Sequence, residues 1–422
     1  MCALAGLSMS ELGREVSHDI CSPPHGKGQK AGKPLAQKLP YLCWIPHYLK
    51  QRLTRRLPRG TVHLILAVAD HFEPSIVPGN GFARAAYDEQ EQRVECWCRD
   101  YSGAIGTWRD DEGFPLKHTY FYPAEQYDRG LVGRLAEHCR SGWGEIEVHL
   151  HHGMEAPDTA ENTWRQLIRF RDTLASEHGC LAYDGESEIP RYAFVHGNFA
   201  LANSAGGYGC GIDCEMQILA ETGCYADLTL PASTFHPAQI AKINSLYECG
   251  LPLGQRAPHR KGRDLRRGLA PRIFPIMLQG PLMLDFDGSS RSRLGRFENA
   301  ALTGPNPPSI RRLRLWKQAA ISVQGKPDWI FIKLHCHSMD PGSKEAVLGA
   351  SMQKFLRELV EGAPQRHETL HFVTAREMVN IVLAACDGKN GNPGEYRDYR
   401  FRRTRPALLN VEDCASERVV KG

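Results

Sequence analysis

The stretch EVHLHHG, Glu147 to Gly153, places three histidines within four positions at the end of an apparent strand. Imidazole is the commonest metal-binding side chain in proteins, and zinc and other first-row ions bind it well. Two residues separated by one position share a face of a strand and lie about 6.6 Å apart along the backbone. Histidines spaced in this way can reach one ion, so the sequence predicts a metal site at His149, with His151 and His152 as candidate further ligands.

Four predicted strands share a pattern in which one face is aliphatic and the other becomes polar toward the carboxyl end. Parallel strands bring their carboxyl ends to one edge of a sheet, where βα proteins place their active sites. The sequence therefore predicts that these polar faces, together with Asp70 and His71 after the first strand, surround a single site. The faces are Glu145, Glu147, His149 and His151; Tyr192, Phe194, His196 and Asn198; Tyr225, Asp227 and Thr229; and Phe331, Lys333, His335 and His337.

The elements that must position these residues alternate along the chain between short apolar strands and amphipathic helices. The alternation begins with the apolar run TVHLILAVAD after residue 60 and continues to about residue 380. Repeated strand and helix predicts an α/β fold with parallel strands covered by helices, which is either a doubly wound sheet or a barrel. Because no internal repeat or second core is evident, one domain is expected over residues 61–400.

The segments that flank this domain have a different composition. Residues 1–40 are rich in Gly, Pro, Lys and Ser without a hydrophobic period and are expected to be disordered, and residues 401–422 are a C-terminal tail. Residues 41–60 combine aromatic residues with five Lys and Arg, which favours either a helix packed on the domain or a peripheral contact with an anionic membrane. Residues 1–60 hold ten Lys and Arg against three acids. The positive charge thus lies outside the domain, and nucleic-acid binding is not expected.

Cysteine usage and apolar runs bear on the cellular compartment. The chain has 14 cysteines in 422 residues, and since most lie inside apparent strands and helices, reduced core thiols are expected. Cys210 and Cys214 lack the two-residue spacing of a zinc knuckle, so a structural zinc is not expected there. The sequence shows no signal peptide, and no apolar run approaches the roughly 20 residues of a membrane span. We therefore expect a cytoplasmic protein, at the inner membrane face if residues 41–60 bind lipid.

Ordered motifs along the chain resemble those of polysaccharide deacetylases with the NodB homology domain. The motifs are LAVADHFEP, EVHLHHG, LAETGCYADLTLPAS and IKLHCHS, and they span roughly residues 61–380. The resemblance implies a distorted (β/α) barrel of about seven strands that removes N- or O-acetyl groups from a carbohydrate. It also implies one divalent metal ion per chain, which we expect to be zinc.

Catalytic roles follow from the same resemblance. Asp70 corresponds to the catalytic-base aspartate of the family, and His335 to the histidine that acts as general acid. The implied mechanism uses the metal ion to lower the pKa of a bound water, Asp70 to accept its proton and His335 to protonate the leaving group. The metal-binding aspartate of the family is replaced here by His71, which is a departure from the pattern.

The ligand and substrate positions also depart from the family. Its two motif histidines stand four apart, whereas His149 is followed by His151 and His152, so the partner of His149 is open. The arginine and proline motif of the family is replaced by HGNFALANS after residue 195. Six other residues of the polar strand faces are expected to bind the carbohydrate: His196, Asn198, Tyr225, Asp227, Lys333 and His337.

Two other functions fit the same residues. An amidohydrolase or PHP-type hydrolase also gathers strand-end histidines, around one to three metal ions, although its His-x-His pair lies on the first strand. A glycan-binding or assembly protein that kept the barrel and lost the chemistry would explain the replacement of the second acid by His71. Counting the metal ions and assaying acetate release separate these alternatives, while the oligomeric state is not indicated by the sequence.

Overall fold

Short strands and helices alternate over most of the described chain, as the sequence predicts, but the described residues between 224 and 302 form seven strands with no α-helix between them. A computed structural model of the protein describes residues 42–80, 83–185, 187–232, 236–286 and 296–403. The predicted arm, residues 1–40, and all but the first three residues of the predicted tail lie outside these ranges. The described chain is mixed α/β with one large, mostly parallel sheet, which confirms the predicted class.

The described strands and helices have the following bounds. The strands are β1 (Val62–His71), β2 (His118–Pro123), β3 (Gly144–Leu150), β4 (Tyr183–Asp184), β5 (Tyr192–His196), β6 (Cys224–Asp227), β7 (Leu246–Cys249), β8 (Gly262–Asp264), β9 (Ile276–Leu278), β10 (Met283–Asp285), β11 (Arg296–Glu298), β12 (Ala301–Leu302), β13 (Trp329–Cys336), β14 (Glu368–Phe372) and β15 (Phe401–Arg402). The helices are α1 (Ile45–Thr54), α2 (Tyr87–Ile105), α3 (Arg129–His138), α4 (Ala160–His178), α5 (Glu215–Glu221), α6 (Ile310–Gln318), α7 (Pro341–Leu348), α8 (Ala350–Gly362) and α9 (Ala375–Cys386).

The central sheet has 11 strands in the order β12-β13-β1-β2-β3-β5-β6-β9-β7-β8, and β14 pairs with β1 outside this path. Along one side β1 pairs in parallel with β13, and along the other it pairs first with β14 and then with β2. The register places Asp70 beside Cys336 and His71 beside Phe121. The carboxyl ends of β1, β2, β3, β5 and β13 therefore lie along one edge of the sheet, where the histidines were expected.

The two faces of β1 pack in two different apolar layers. Leu64, Leu66 and Val68 contact the layer beneath the outer helices. The alternate residues contact a second layer that contains α9. All 12 residues of α9 are buried, which is unusual because most helices of a globular protein keep one face in water. The inner face of the sheet thus packs on a helix that is enclosed by protein.

Polar contacts fix α9 in this enclosed position. Thr374 and Glu377 form a capping box at its first turn, which satisfies backbone N–H groups that the helix itself leaves unpaired. Arg376 donates to the carboxylate of Glu145 on β3, at 2.8 Å, and to the carbonyl oxygen of Phe401 at 2.8 Å. Glu145 belongs to the predicted polar face of β3, so the amino end of that face binds α9.

The face assignment predicted for β5 is wrong. Tyr192 and Phe194 pack in the outer layer, whereas Ala193 and Val195 pack in the inner layer beside α9. Small side chains suit the face that must approach a helix, and the register between β5 and β6 shifts at this point. The consequence is that His196, which follows the alternation of Tyr192 and Phe194, does not face the same way as His149 on β3.

The two described aromatic residues of the segment 41–60, Trp44 and Tyr48, belong to the core. Trp44 and Tyr48 are buried, and Trp44 contacts Phe297 with its ring. Arg55 donates to the carbonyl oxygen of Asn244 at 2.7 Å, which fixes the end of α1. These contacts agree with a helix packed on the domain. A peripheral membrane contact stays a prediction, for which Leu49 and the other exposed residues of α1 remain accessible.

The described helices can also be compared with the requirements of a membrane-spanning helix. Among the described residues, no helix combines the length and the apolar character that crossing a bilayer requires.

We expect Arg376→Ala to lower the free energy of unfolding by about 3–5 kcal/mol, because it leaves the buried carboxylate of Glu145 without its guanidinium partner. Denaturant unfolding followed by circular dichroism measures this loss. Lys354→Ala is the control, since Lys354 and Glu358 form an exposed pair on α8, and it should change stability by less than about 1 kcal/mol. Equal effects of the two substitutions would contradict the anchoring of α9 by Arg376.

Candidate metal centre

Histidines from β1, β3 and β13 meet at the carboxyl edge of the sheet. The ring centroid of His71 lies 4.9 Å from that of His149, 4.6 Å from that of His337 and 6.4 Å from that of His335. The His149 and His151 centroids are 4.6 Å apart. Two glutamates complete the group, which we call the histidine centre: His71, Glu73, Glu125, His149, His151, His335 and His337.

Two sets of potential metal ligands share one carboxylate. His71, Glu73 and His337 place ligand atoms within 4.8 Å of one another, and so do Glu73, His149 and His151. Glu73 was not predicted as a site residue. The signal was in the sequence, because Glu73 follows His71 by two positions in the motif DHFEP. The described residues therefore include buried groups with the donor types that a divalent ion binds.

The hydrogen bonds of His149 indicate a cation or a proton beside Glu73. Nδ1 of His149 lies 2.7 Å from the carbonyl oxygen of Val195, and a carbonyl can only accept, so Nδ1 carries the hydrogen. Nε2 then offers a lone pair, yet it lies 3.1 Å from Oε1 of Glu73, which is also an acceptor. This orientation of a histidine by a backbone carbonyl is the usual arrangement around a bound metal.

The protonation states also suit a metal ion. Burial lowers the pKa of His71 well below its usual value, and His337 and His149 lower it further. Burial likewise lowers the pKa of His149. Burial alone would raise the pKa of Glu73, but the nearby His151 and His149 outweigh it and hold that pKa well below the usual range. Neutral imidazoles beside an ionised carboxylate are the forms that metal ligands must adopt.

His151 and Glu125 form the more exposed part of the centre. Nδ1 of His151 lies 2.8 Å from Oε1 of Glu125, and Nε2 lies 3.4 Å from Oε1 of Glu73. Burial opposes the charge, but the two carboxylates raise the pKa of His151 to about 10, so it is an imidazolium here. The side chains of His151 and Glu125 are 19% and 20% exposed. Glu125, which sequence reasoning missed, lies in the short turn Ala124–Gln126 that follows β2.

Asp70 lies apart from the histidine centre. Its Oδ2 is 2.9 Å from Nδ1 of His118, and its Oδ1 accepts from the backbone N–H of Ser338 at 3.0 Å. The side chain is fully buried, with Cys336 as another close neighbour. Successive residues of a strand point to opposite faces, so Asp70 and His71 at the end of β1 cannot both face the centre. Its expected role as general base is not supported by this position.

His335 lies in the centre, but its protonation state differs from the expected one. Burial lowers its pKa well below the usual value, and the nearby Lys333 and His337 lower it further. Nδ1 of His335 is buried and has no hydrogen-bond partner among the described residues. A general acid must carry a proton before the reaction, and this environment favours the neutral imidazole instead.

Of the six residues expected to bind substrate, only His337 belongs to the centre. Lys333 donates through Nζ to the carbonyl oxygens of Leu228 and Leu230 at 2.7 and 3.0 Å, and burial lowers its pKa to about 7. Burial raises the pKa of Asp227 to about 7, and its carboxylate accepts from Thr229. Lys333 thus joins β13 to the segment after β6, whereas Asp227 fixes that segment locally.

The other three expected substrate residues also lie outside the centre. Tyr225 is buried, stacks on Phe401 and donates to Glu147. His196 points away from the centre, beside His152, and the backbone N–H of Asn198 donates to it.

A glycine makes room for His151 in the centre. A Cβ at Gly197, directly after β5, would lie 2.2 Å from Cδ2 of His151. Real contacts are never that short, and the His151 ring would have to leave its place between Glu73 and Glu125. The glycine at position 197 is therefore a packing requirement of the centre.

We predict that Gly197→Ala weakens divalent metal binding about 10- to 100-fold, because displacing His151 disturbs the residues that orient the centre. Competition with a chromophoric chelator measures the affinity. Gly103→Ala is the control, since a Cβ at that helical position meets no atom within 4 Å. If both variants bind metal like the original protein, His151 does not orient the metal ligands.

Comparisons with known proteins add no family to these observations. No protein-family model matches the chain, and no curated protein matches it either. The class of the protein is thus defined by its own features, a mostly parallel α/β sheet with a candidate metal centre at the carboxyl edge.

Proposed function

We propose that the protein is a metal-dependent hydrolase that removes acetyl groups from a carbohydrate. One observation carries the proposal: neutral imidazoles and an ionised carboxylate meet at the carboxyl edge of a parallel sheet, with a charged His–Glu pair at the exposed side. The acetylated substrate class rests on the motifs that resemble polysaccharide deacetylases, and the geometry supports hydrolysis more broadly.

The ion would be held by His71, Glu73 and His149, with His337 as a further ligand. These residues supply imidazole nitrogen and carboxylate oxygen, which zinc and related first-row ions bind. When bound, a divalent ion supplies Lewis acidity, which polarises a carbonyl and lowers the pKa of water enough for a weak base to suffice.

Two histidines of the centre are the proposed proton-transfer groups, because their surroundings shift their pKa values in opposite directions. Environments that separate the pKa values of neighbouring groups mark an acid and a base. His335, held neutral, accepts a proton from the attacking water. His151, held as imidazolium, gives a proton to the leaving amine or alkoxide as the bond to the acetyl carbon breaks and acetate forms. Glu125 stabilises the charge on His151 throughout.

The distorted (β/α) barrel belongs to the same proposal, because it would surround the centre on all sides. Lys333 of β13 donates to two carbonyl oxygens that follow β6. Gly280, which follows β9, lies so near β13 that a Cβ there would be 2.6 Å from the carbonyl oxygen of Lys333. Strands from the two sides of the sheet thus approach each other around α9, which supports a barrel closed by side-chain and loop contacts.

A binuclear hydrolase is a second candidate, favoured by the sharing of Glu73 between two ligand sets. A carboxylate that bridges two ions is a common arrangement in two-metal hydrolases. The number of ions lost when His149 is removed separates the two candidates: one ion supports the deacetylase-like centre, and two support the binuclear one.

We predict that His149→Ala loses the metal and the activity together. His151→Asn still binds the metal, about 10- to 100-fold more weakly, and when saturated with metal it turns over about 10²- to 10⁴-fold more slowly, because it lacks the acid. Metal analysis and acetate release from N- and O-acetylated sugars measure the two effects. His47→Ala, at an exposed histidine of α1, should change neither.

Asp70→Asn tests the role that the resemblance implies for Asp70. If His335 is the base, the variant keeps its metal and most of its turnover. Retained metal with a turnover 10²- to 10⁴-fold lower would instead make Asp70 the base. Failure of the original protein to release acetate from any acetylated sugar, with metal bound, would contradict the substrate class and leave the metal centre standing.

A further inference from the structure

A second group of metal-binding side chains lies on the opposite side of the β3 and β5 ends from the histidine centre. We call its members the buried quartet: His152, His196, Cys210 and Glu215. All four are buried, and His152, the least so, is only 6% exposed. Their ligand atoms lie within 4.8 Å of one another. The sequence predicted His152 as a ligand of the same ion as His149, but the two lie in different groups.

The atoms of the quartet point at one another. Nε2 of His152 lies 3.0 Å from Nε2 of His196 and 3.0 Å from Oε1 of Glu215. Sγ of Cys210 lies 3.2 Å from the other carboxylate oxygen of Glu215. Imidazole nitrogen, thiolate sulfur and carboxylate oxygen are the ligand atoms that zinc binds in proteins.

A second layer of contacts orients His152. Its Nδ1 lies 2.8 Å from Oδ2 of Asp158, and a carboxylate can only accept when ionised, so Nδ1 carries the hydrogen and Nε2 is the nitrogen that faces Glu215 and His196. Asp158 is fixed in turn, since it accepts from Thr163 at 2.8 Å and from Asn162 at 2.7 Å. A carboxylate behind the histidine is a recurrent feature of zinc sites.

The backbone around Cys210 is also built for this contact. A Cβ at Gly153, directly after His152, would lie 2.4 Å from the carbonyl oxygen of Cys210. Backbone hydrogen bonds join the two segments, from Gly209 to Gly153 at 2.9 Å and from Asp158 to Cys210 at 2.9 Å. Gly153 and Gly209 have φ values of +67° and +74°, which glycine adopts without strain. The segment with Cys210 is thus held against the segment with His152.

One contact favours a different arrangement. The backbone N–H of Asn198 donates to Nδ1 of His196 at 3.2 Å, so without a cation the hydrogen of that ring is on Nε2. In that arrangement a proton shared among His196, His152 and Glu215 would hold the quartet together. This proton-held network and a metal ion make different predictions for metal content and for the spectrum of a cobalt-loaded protein.

We propose that the buried quartet is a second metal site, structural in kind, that binds zinc or a similar first-row ion through His152, His196, Cys210 and Glu215. Four protein ligands in a closed space leave no position for substrate, which is the mark of a structural zinc site. The ion ties together the segment after β3, the end of β5 and the start of α5. Because His151 and His152 are adjacent, it also fixes the position of His151 in the histidine centre. The proposal goes beyond the hydrolase proposal and does not depend on it.

Cobalt substitution tests the site, because a thiolate bound to Co²⁺ absorbs in the near ultraviolet and the histidine centre contains no cysteine. We expect the full-length protein, produced in zinc-depleted medium with cobalt, to show this absorption. Cys210→Ser should abolish it and lower the cobalt content by about one ion per chain. Glu215→Gln serves as a second variant if Cys210→Ser does not fold, and it should also lower the content by about one ion.

Two cysteine variants are matched controls. Cys214→Ser changes a neighbouring thiol outside the quartet, and Cys336→Ser changes the buried thiol beside Asp70 and His118. Both should keep the absorption. The proposal is overturned if the cobalt protein lacks the thiolate band, as the proton-held network predicts, or if the band persists in Cys210→Ser. The proposal is also overturned if Cys336→Ser loses the band while Cys210→Ser keeps it, since that result would place the metal beside Asp70.

Discussion

The two-residue period of a β-strand is the constraint on which both candidate sites depend. At the ends of β1 and just beyond β3, neighbouring residues with metal-binding side chains point to opposite sides, so that His71 and Asp70 separate, as do His151 and His152. Each strand end thereby contributes to two groups at once. Metal-binding side chains therefore lie on both sides of the sheet edge. A change of strand register by one residue would turn each of them to the opposite side.

Burial does not give every histidine of the histidine centre the same charge. In the histidine centre it keeps His71, His149 and His335 neutral, while two carboxylates overcome it at His151. The same residue type thus exists in two charge states within a few ångströms. Acid and base roles can be divided among histidines only where the neighbours differ in this way.

The sequence predicted the features that depend on a local alternation of residues. It did not predict those that depend on contacts between residues distant in the chain. The class of fold followed from repeated strand and helix, and the grouping of His71, His149, His151, His335 and His337 followed from strand-end positions. The inward face of β5 could not be predicted, because α9, more than 170 residues later in the chain, requires small side chains there. Cys210 and Glu215 were missed for a related reason: their partners lie in other segments, and no local spacing connects them.

The place of β1 at the centre of the sheet has a consequence for biosynthesis. Its partners β13 and β14 begin at residues 329 and 368. Most of the chain must therefore leave the ribosome before β1 can pair with β13 along one side and with β14 along the first half of the other side. Until then this largely apolar strand exposes an unpaired edge, and α9, the helix that covers its inner face, has not yet been made. Pairings over such distances form slowly and favour aggregation. The nascent chain should therefore depend on a chaperone that shields β1 until translation ends, which ribosome-bound fragments that stop before residue 329 would reveal by chaperone cross-linking.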